Sequence, residues 1–291
     1  MWKTTTFKVP DGFNFRLTAT SHGWYDLKPF SYDAEANILK YVFVEGKNAV
    51  EATVHSHSGH INIELDRAVS EKSSIPQKLR HSLRIDDRFA EFHTMAVDDE
   101  HLKWAAESGA GRLLRSPTVF EDLVKTLCTT NCSWALTRNM VNNLVYELGV
   151  VSRSGARAFP DVASLAMQDE TFFREAVKAG YRSSYFVELA ETIASGKVDP
   201  ERWLDPEMPL DVLKSEIRSL KGFGEYATDN LLKLLGRYDG LALDSWLRAR
   251  FYEKHNRGKK CPDKKIVKRY SKYGKWQGLA IWCDMTSDWH S

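Results

Sequence analysis

The chain lacks the features that mark membrane and secreted proteins. No apolar run approaches the roughly 18 residues that a membrane-spanning helix needs. The first residues do not show the basic-then-apolar pattern of a signal peptide. Only four cysteines occur in 291 residues, which suits reduced thiols in a cytosolic protein better than a disulfide framework. We therefore expect no membrane contact, and a location in the cytoplasm (the nucleoid in a bacterium) or the nucleus.

An excess of charge of one sign is also missing, since the formal net charge is only +2. The exception is the segment 253–275, which is dense in Lys and Arg and has acids only at Glu253 and Asp263. Such a run is either an ordinary solvated surface or a patch that faces the phosphates of a polyanion. Because 43% of the residues are hydrophobic and 12% are aromatic, we expect a packed globular protein.

Strands are predicted in the first 70 residues and helices from about Leu83 onward. "FNFRLT" alternates apolar and polar residues, "ILKYVFVEGKNAVEATVHS" gives two β-rich runs around a turn at 45–48, and "INIEL" adds another strand. The sequence therefore predicts an α+β fold, with an N-terminal antiparallel β domain at 1–82 and an all-helical domain at 83–291.

Helix ends are marked in the second part of the chain. "SPTVFEDLVKTLCTTN" predicts a helix that begins after Ser116, or after Thr118 through a Thr118-x-x-Glu121 capping box. "WALTRNMVNNLVYELG" predicts a helix that ends at Gly149. The aromatic-rich end of the chain is predicted to be a helix that packs on the core.

A glycine motif in "KGFGEYATDN" raises the question of a nucleotide site. It reads Gly222-x-Gly224-x-x-Ala227, and Asp244 follows twenty residues after the second glycine, close to the dinucleotide-binding fingerprint. That fingerprint needs a strand before the first glycine, whereas the preceding segment "PLDVLKSEIRSL" spaces its apolar residues as a helix does. We therefore predict a helix, a tight turn and a second helix, and reject the Rossmann loop.

Two glycines between helices let the backbone turn sharply and expose amide groups beside the N-terminus of the second helix. Unpaired amides and the partial positive charge there suit an anion such as a DNA phosphate. The alternative is an ordinary αα-hairpin that binds nothing.

The segment "LKGFGEYATDNLLKLLGRYDGLALD" resembles the helix-hairpin-helix of the DNA glycosylase superfamily. "GRLLRSPTVFEDLVKTLCTTNCSWALTRNMVNNLVYELG" and "AGYRSSYFVELAETI" resemble further helices of 8-oxoguanine and 3-methyladenine glycosylases, and the order is the same from about Leu83 to Asp244. The resemblance implies a helix-hairpin-helix glycosylase domain whose partner is duplex DNA containing a damaged base. It implies a monomer without a cofactor, and admits a structural monovalent cation at the hairpin.

The same resemblance assigns the chemistry. Asp244 stands at the family's catalytic Asp, where a carboxylate favours the positive charge that builds on the sugar as the glycosidic bond breaks. An Asp before a helix is also a common N-cap, and the two roles are compatible. Tyr226 stands where bifunctional members carry the lysine that forms a Schiff base, and a phenol cannot do so. The resemblance therefore implies hydrolysis by water without lyase activity.

The positions that match the family's motifs also give candidate residues for the base pocket and for contacts with DNA. Tyr226 is expected to stack on the flipped base, which favours alkylated, positively charged purines first and oxidised purines second. The other pocket candidates are Asn230, Gln277 and Trp282. The residues expected to contact DNA are Gly222, Phe223 and Gly224 at the hairpin, Asn131 as the residue that fills the emptied space, Tyr181 as the wedge and Arg182 as the reader of the opposite base.

Departures from the family leave alternatives open. Leu136 replaces the second base-reading arginine and Asn230 replaces a pocket cysteine, so an 8-oxoguanine:cytosine preference does not follow. A bifunctional glycosylase/lyase could use another amine, with Lys221 and Lys233 first to consider. A DNA-binding module without catalysis is the other alternative. His55, His57 and His60 are read as turn histidines, and no metal site is expected.

Overall fold

The computed structural model describes residues 1–289, and five strands in that range form one antiparallel sheet. The strands are β1 Trp2–Lys8, β2 Ser31–Asp33, β3 Ile38–Glu45, β4 Asn48–His57 and β5 His60–Val69. Their order across the sheet is β1-β5-β4-β3-β2. The predicted hairpin at 45–48 is confirmed, because Glu45 pairs with Asn48 across a two-residue turn, and a second hairpin pairs His57 with His60.

Helices dominate the rest of the chain, as predicted. They are α1 Phe15–Ala19, α2 Ile75–Ser82, α3 Ala90–Ala96, α4 Lys103–Ser108, α5 Val119–Thr129, α6 Trp134–Leu148, α7 Val162–Ala166, α8 Glu170–Glu175, α9 Ser183–Ala194, α10 Leu210–Ser219, α11 Glu225–Leu234, α12 Ser245–His255, α13 Asp263–Tyr270 and α14 Gln277–Thr286. Short 3₁₀ turns lie at Gly23–Asp26, Gly180–Arg182, Pro200–Leu204, Ser271–Trp276 and Ser287–Trp289. Within residues 1–289, no helix has the length and apolar character needed to span a membrane.

One predicted strand is wrong, since "FNFRLT" forms most of α1. Its buried residues are Phe15, Thr18 and Ala19, which is helical spacing, and the alternation in six residues is too short to decide between the two periods. The Asn14 side chain caps this helix by accepting a hydrogen bond from the Leu17 backbone N–H at 3.1 Å. The first strand is instead β1, nearer the N-terminus.

Helix boundaries follow the capping signals closely. Thr118, not Ser116, caps α5, because its hydroxyl accepts from the Glu121 backbone N–H at 3.2 Å. α6 ends at Gly149 as predicted. The glycine motif lies between α10 and α11, so the segment before it is a helix and the rejection of the Rossmann loop is confirmed.

The main hydrophobic core joins the sheet to the helices. Strand residues such as Leu39 and Ile63 belong to the same buried cluster as Leu127 of α5 and Leu231 of α11. A second cluster surrounds α14 and is buried as the sequence predicts for the end of the chain. The proposed boundary between 82 and 83 therefore crosses a shared core, and it stays a prediction. The sheet and the hairpin helices therefore belong to one buried core.

Candidate functional site

The glycine turn between α10 and α11 has one crowded glycine and one open glycine. Gly222 has φ +93°, and a Cβ there would lie 2.7 Å from the side chain of Leu127 and 2.9 Å from that of Tyr185. Phe223 is buried at 3% exposure and anchors the turn in the core. Gly224 is the N-cap of α11 without a side-chain cap, and nothing lies within 4 Å of the position of its absent Cβ. The first turn of α11 therefore presents its amides to an open side.

A surface concavity of about 470 Å³ lies beside this turn. It brings together five of the residues predicted to contact DNA: Asn131, Tyr181, Gly222, Phe223 and Gly224. Asn131 takes the left-handed conformation at φ +47°, and its amide lies 3.4 Å from the hydroxyl of the half-exposed Tyr181. An exposed polar tip and an exposed aromatic ring thus stand at the edge of the hairpin concavity.

Arg182, which is also predicted to contact DNA, is buried. It is 5% exposed, its Nε donates to the Thr130 hydroxyl at 3.0 Å, and its terminal nitrogen donates to the Thr130 carbonyl. The guanidinium also lies 4.5 Å from the ring centroid of Tyr181. Arg182 therefore fixes the loop that carries Asn131, and contact with an opposite base would require these bonds to open.

Asp244 lies at the start of α12, after the extended segment that follows α11. Its carboxylate caps the helix by accepting from the Leu247 backbone N–H at 2.7 Å. The Tyr226 phenol on the first turn of α11 lies near enough to this carboxylate to interact with its charge. Burial and the Asp244 charge raise the pKa of Tyr226, so the phenol stays neutral. The fold thus pairs the predicted catalytic acid with the predicted pocket aromatic.

The other three pocket candidates, Asn230, Trp282 and Gln277, each contact a different part of the protein. The Asn230 side chain donates to the Tyr226 carbonyl at 3.0 Å, one turn along α11. Trp282 lies in a cluster of rings, 6.0 Å from Trp246 and 5.6 Å from Trp289 between ring centroids. Gln277, the first residue of α14, donates to the Asp239 carbonyl in the segment between α11 and α12, and its place in the pocket stays a prediction.

Two polar side chains that the sequence did not place in the pocket lie beside Trp282. The ammonium of Lys233 lies 5.9 Å from the Trp282 ring centroid, and the His22 ring lies 6.4 Å from it. Lys233 is one of the two amines that the sequence offers for lyase chemistry, but its burial, at 3% exposure, does not follow from the sequence. No pattern in the sequence indicates His22, because it directly precedes the 3₁₀ turn Gly23–Asp26 in the N-terminal part of the chain, more than 200 residues from α14 in sequence.

A larger concavity, of about 710 Å³, lies elsewhere and contains none of the predicted site residues. Beside it, one nitrogen or oxygen from each of His101, His255 and Asp284 falls within 4.8 Å of the others. Lys254 Nζ lies 2.9 Å from Asp284 Oδ1, and His255 and Tyr270 hold Oδ2 at 2.8 and 2.7 Å. These partners outweigh burial and lower the pKa of Asp284, and an ammonium at this distance opposes a bound cation.

No protein-family model matches the chain, and no curated protein matches it either. Solved structures, however, match the chain over nearly its whole length. The chain is 18% identical to the 3-methyladenine DNA glycosylase from Archaeoglobus fulgidus, with TM-score 0.79 over 100% of this chain and 99% of that one. It is 16% identical to the Clostridium acetobutylicum 8-oxoguanine glycosylase/lyase, in complex with dsDNA containing cytosine opposite 8-oxoG, with TM-score 0.77 over 99% and 96%.

A smaller neighbour is the Schizosaccharomyces pombe 3-methyladenine DNA glycosylase in complex with abasic DNA. It is 21% identical, with TM-score 0.54, and the match covers 70% of this chain and 98% of that one. The chain therefore has the fold that 3-methyladenine and 8-oxoguanine DNA glycosylases share, as the resemblance in its sequence predicts.

Proposed function

We propose that the protein is a DNA repair glycosylase, which flips a damaged purine, alkylated or oxidised, out of duplex DNA and hydrolyses its N-glycosidic bond. The observation that carries this proposal is the Asp244 carboxylate, held by the Leu247 amide near the Tyr226 phenol, in a fold shared with glycosylases. A base inside a duplex is out of reach of any active site, so extrusion has to precede the chemistry.

Each part of the site has a step in this proposal. The open amides after Gly224 bind a backbone phosphate and set the position of the duplex without reading its sequence. Asn131 and Tyr181 enter the space that the flipped base leaves, where an aromatic ring replaces lost stacking. Asp244 then stabilises the positive charge that develops on the sugar and orients the attacking water.

Hydrolysis by water, without strand cleavage, follows from the side chain at position 226. A phenol offers no amine for a Schiff base with the sugar. Lys221 is half-exposed and lies 3.5 Å from Glu188. The protein is proposed to act as a monomer in the cytoplasm or the nucleus, to start base excision repair, and to need no cofactor.

The test is base release from a panel of duplexes, each with one lesion, followed by hot alkali to reveal abasic sites. We expect the Asp244→Asn variant to lose at least 100-fold in single-turnover rate, because it removes the charge and keeps the shape. Asn is also a good N-cap, so α12 and DNA affinity should be retained. Excision by this variant at the wild-type rate contradicts the role of Asp244, and release of no base by the wild type contradicts the glycosylase proposal.

The same reactions test for lyase chemistry. Products should stay full length until alkali is added, and borohydride should trap no covalent complex between protein and DNA. Efficient trapping by the wild type would instead identify a reactive amine, which Lys221→Met and Lys233→Met variants would locate.

A further inference from the structure

Lys233 is a buried ammonium with donors to spare. It lies two turns after Tyr226 on α11 and is 3% exposed. Its Nζ donates to the Leu241 carbonyl at 3.2 Å, and within residues 1–289 this is the one hydrogen bond that it makes. An ammonium has three N–H groups and no acceptor. Two donors are thus left in a place where desolvation makes an unmet hydrogen bond costly.

His22 contributes a second polar group with no partner. Its Nδ1 lies 3.2 Å from the Ser21 hydroxyl, whereas its Nε2 is buried and has no hydrogen-bond partner among the described residues. Burial, followed by the charges of Arg84, Lys125 and Lys233, lowers the pKa of His22 to about 3. The imidazole is therefore neutral at physiological pH.

Trp282 is the aromatic surface that both groups share. Lys233 Nζ and the His22 ring lie 5.9 and 6.4 Å from its ring centroid. Its own N–H donates to the Ser21 carbonyl at 3.1 Å, which fixes the plane of the ring. Trp282 thus places an aromatic ring beside two polar groups with unmet hydrogen bonds, and ligand sites typically combine aromatic surface with a few placed polar groups. Asp244 is close enough to Lys233 for the two charges to interact.

We propose, resting on the glycosylase function above, that Lys233 determines the lesion class by donating to a carbonyl oxygen of a neutral, oxidised purine. Alkylation at N3 or N7 of a purine removes an acceptor and adds a positive charge, and both changes oppose a buried ammonium. Oxidation at C8 adds a carbonyl acceptor and leaves the base neutral.

This proposal reverses the order expected from Tyr226 alone. That expectation rests on the Tyr226 ring alone, whereas Lys233 and His22 add unmet polar groups beside Trp282. A site built to donate a hydrogen bond discriminates strongly against a ligand that lacks the acceptor, because its buried donors are then left unpaired. We therefore assign the discrimination to Lys233 and the stacking to Trp282.

The experiment compares the wild type with Lys233→Met, in which the side chain keeps its length and loses its charge. One substrate is a duplex with a single 8-oxoguanine. The other is DNA treated with a methylating agent, from which released methylpurines are measured by chromatography. We expect the wild type to prefer 8-oxoguanine. In Lys233→Met the 8-oxoguanine rate should fall at least tenfold, while methylpurine release is unchanged or faster.

Two controls separate specificity from damage to the fold. Lys197→Met, at an exposed lysine, should change neither rate. Lys233→Met should retain its affinity for a duplex with an abasic-site analogue, because that ligand has no base for Lys233 to contact. An equal loss on both substrates, or a wild-type preference for methylpurines that Lys233→Met leaves unchanged, overturns the proposal. Borohydride trapping that depends on Lys233 overturns it in favour of a nucleophilic role. Release of neither base class by the wild type contradicts the glycosylase function itself.

Discussion

Burial of the charged Lys233 side chain destabilises the fold. Burial lowers its pKa from 10.5 to about 8, although Asp229 and Asp244 both act in the opposite direction. A lysine whose pKa is lower in the folded state destabilises the protein at every pH below that folded pKa. The cost is relieved as the pH rises from about 8 to 10.5, because the folded form is then neutral while the unfolded form keeps its proton. A residue retained at such a cost is a good candidate for a functional one.

We therefore predict that Lys233→Met is more stable than the wild type at pH 7. The lowered pKa of the buried ammonium corresponds to a destabilisation on the order of a few kcal/mol, and the lost hydrogen bond to Leu241 offsets about 1 kcal/mol of it. Urea unfolding should thus show a net gain of about 2 kcal/mol at pH 7, and the gain should shrink between pH 8 and 10.5. A variant that is less stable at pH 7, or a difference that does not depend on pH, would show that Lys233 is a satisfied core residue.

At the scale of elements, the two glycines of the hairpin have different roles: Gly222 serves the fold and Gly224 serves the proposed DNA contact. Gly222 needs a positive φ and has no room for a side chain, whereas Gly224 faces open space. Gly222→Ala should cost about 1–3 kcal/mol of stability, since it strains the backbone and displaces Leu127 and Tyr185. Gly224→Ala should fold with a loss of no more than about 1 kcal/mol.

The matched pair makes the backbone-contact role testable. We predict that Gly224→Ala weakens binding to all duplexes alike, because its methyl group occupies the side from which a phosphate reaches the α11 amides. Binding by the wild type should fall steeply with added salt, as expected when phosphate contacts release counterions. Fluorescence anisotropy with several unrelated duplexes measures both effects. Unchanged affinity in Gly224→Ala, or a loss for one sequence only, would remove the hairpin from the interface.

Elements with several turns of regular pattern were predictable, and α10, α11 and the turn between them are examples. α1 was not, because six residues of "FNFRLT" fit either period and tertiary packing decided the outcome. The grouping of Asp244 with Tyr226 was expected by resemblance. The grouping of Lys233 with His22 was not, since it depends on how the N-terminal segment packs against α11 and α14. Spacing along one segment carries no information on such contacts.

At the scale of the whole molecule, buried polar bonds tie the sheet to the helical part. Tyr41 of β3 donates to Glu121 of α5 at 2.5 Å, and Lys125 Nζ lies 2.6 Å from the other oxygen of Glu121. Trp24, two residues after His22, donates to Asp122 at 2.7 Å. These bonds hold the segment that carries His22 against α5. The base pocket proposed here therefore depends on the junction between the sheet and the helices.

Glu121 accepts the bond from the sheet, so if the junction is one unit, removing the cation that neutralises Glu121 within α5 should weaken the whole protein at once. Lys125 is fully buried and Glu121 is 2% exposed, so Lys125→Met leaves a buried carboxylate without its cation. Removing one partner of such a pair typically costs about 3–5 kcal/mol. The double variant Lys125→Met/Glu121→Gln should recover most of this loss, because it also removes the stranded charge. Unfolding followed by far-UV circular dichroism and by tryptophan fluorescence should give one coincident transition that moves to lower urea in Lys125→Met. Two separate transitions, of which the variant shifts only one, would show that the sheet and the helices fold independently and that the boundary near residue 82 separates two stable domains.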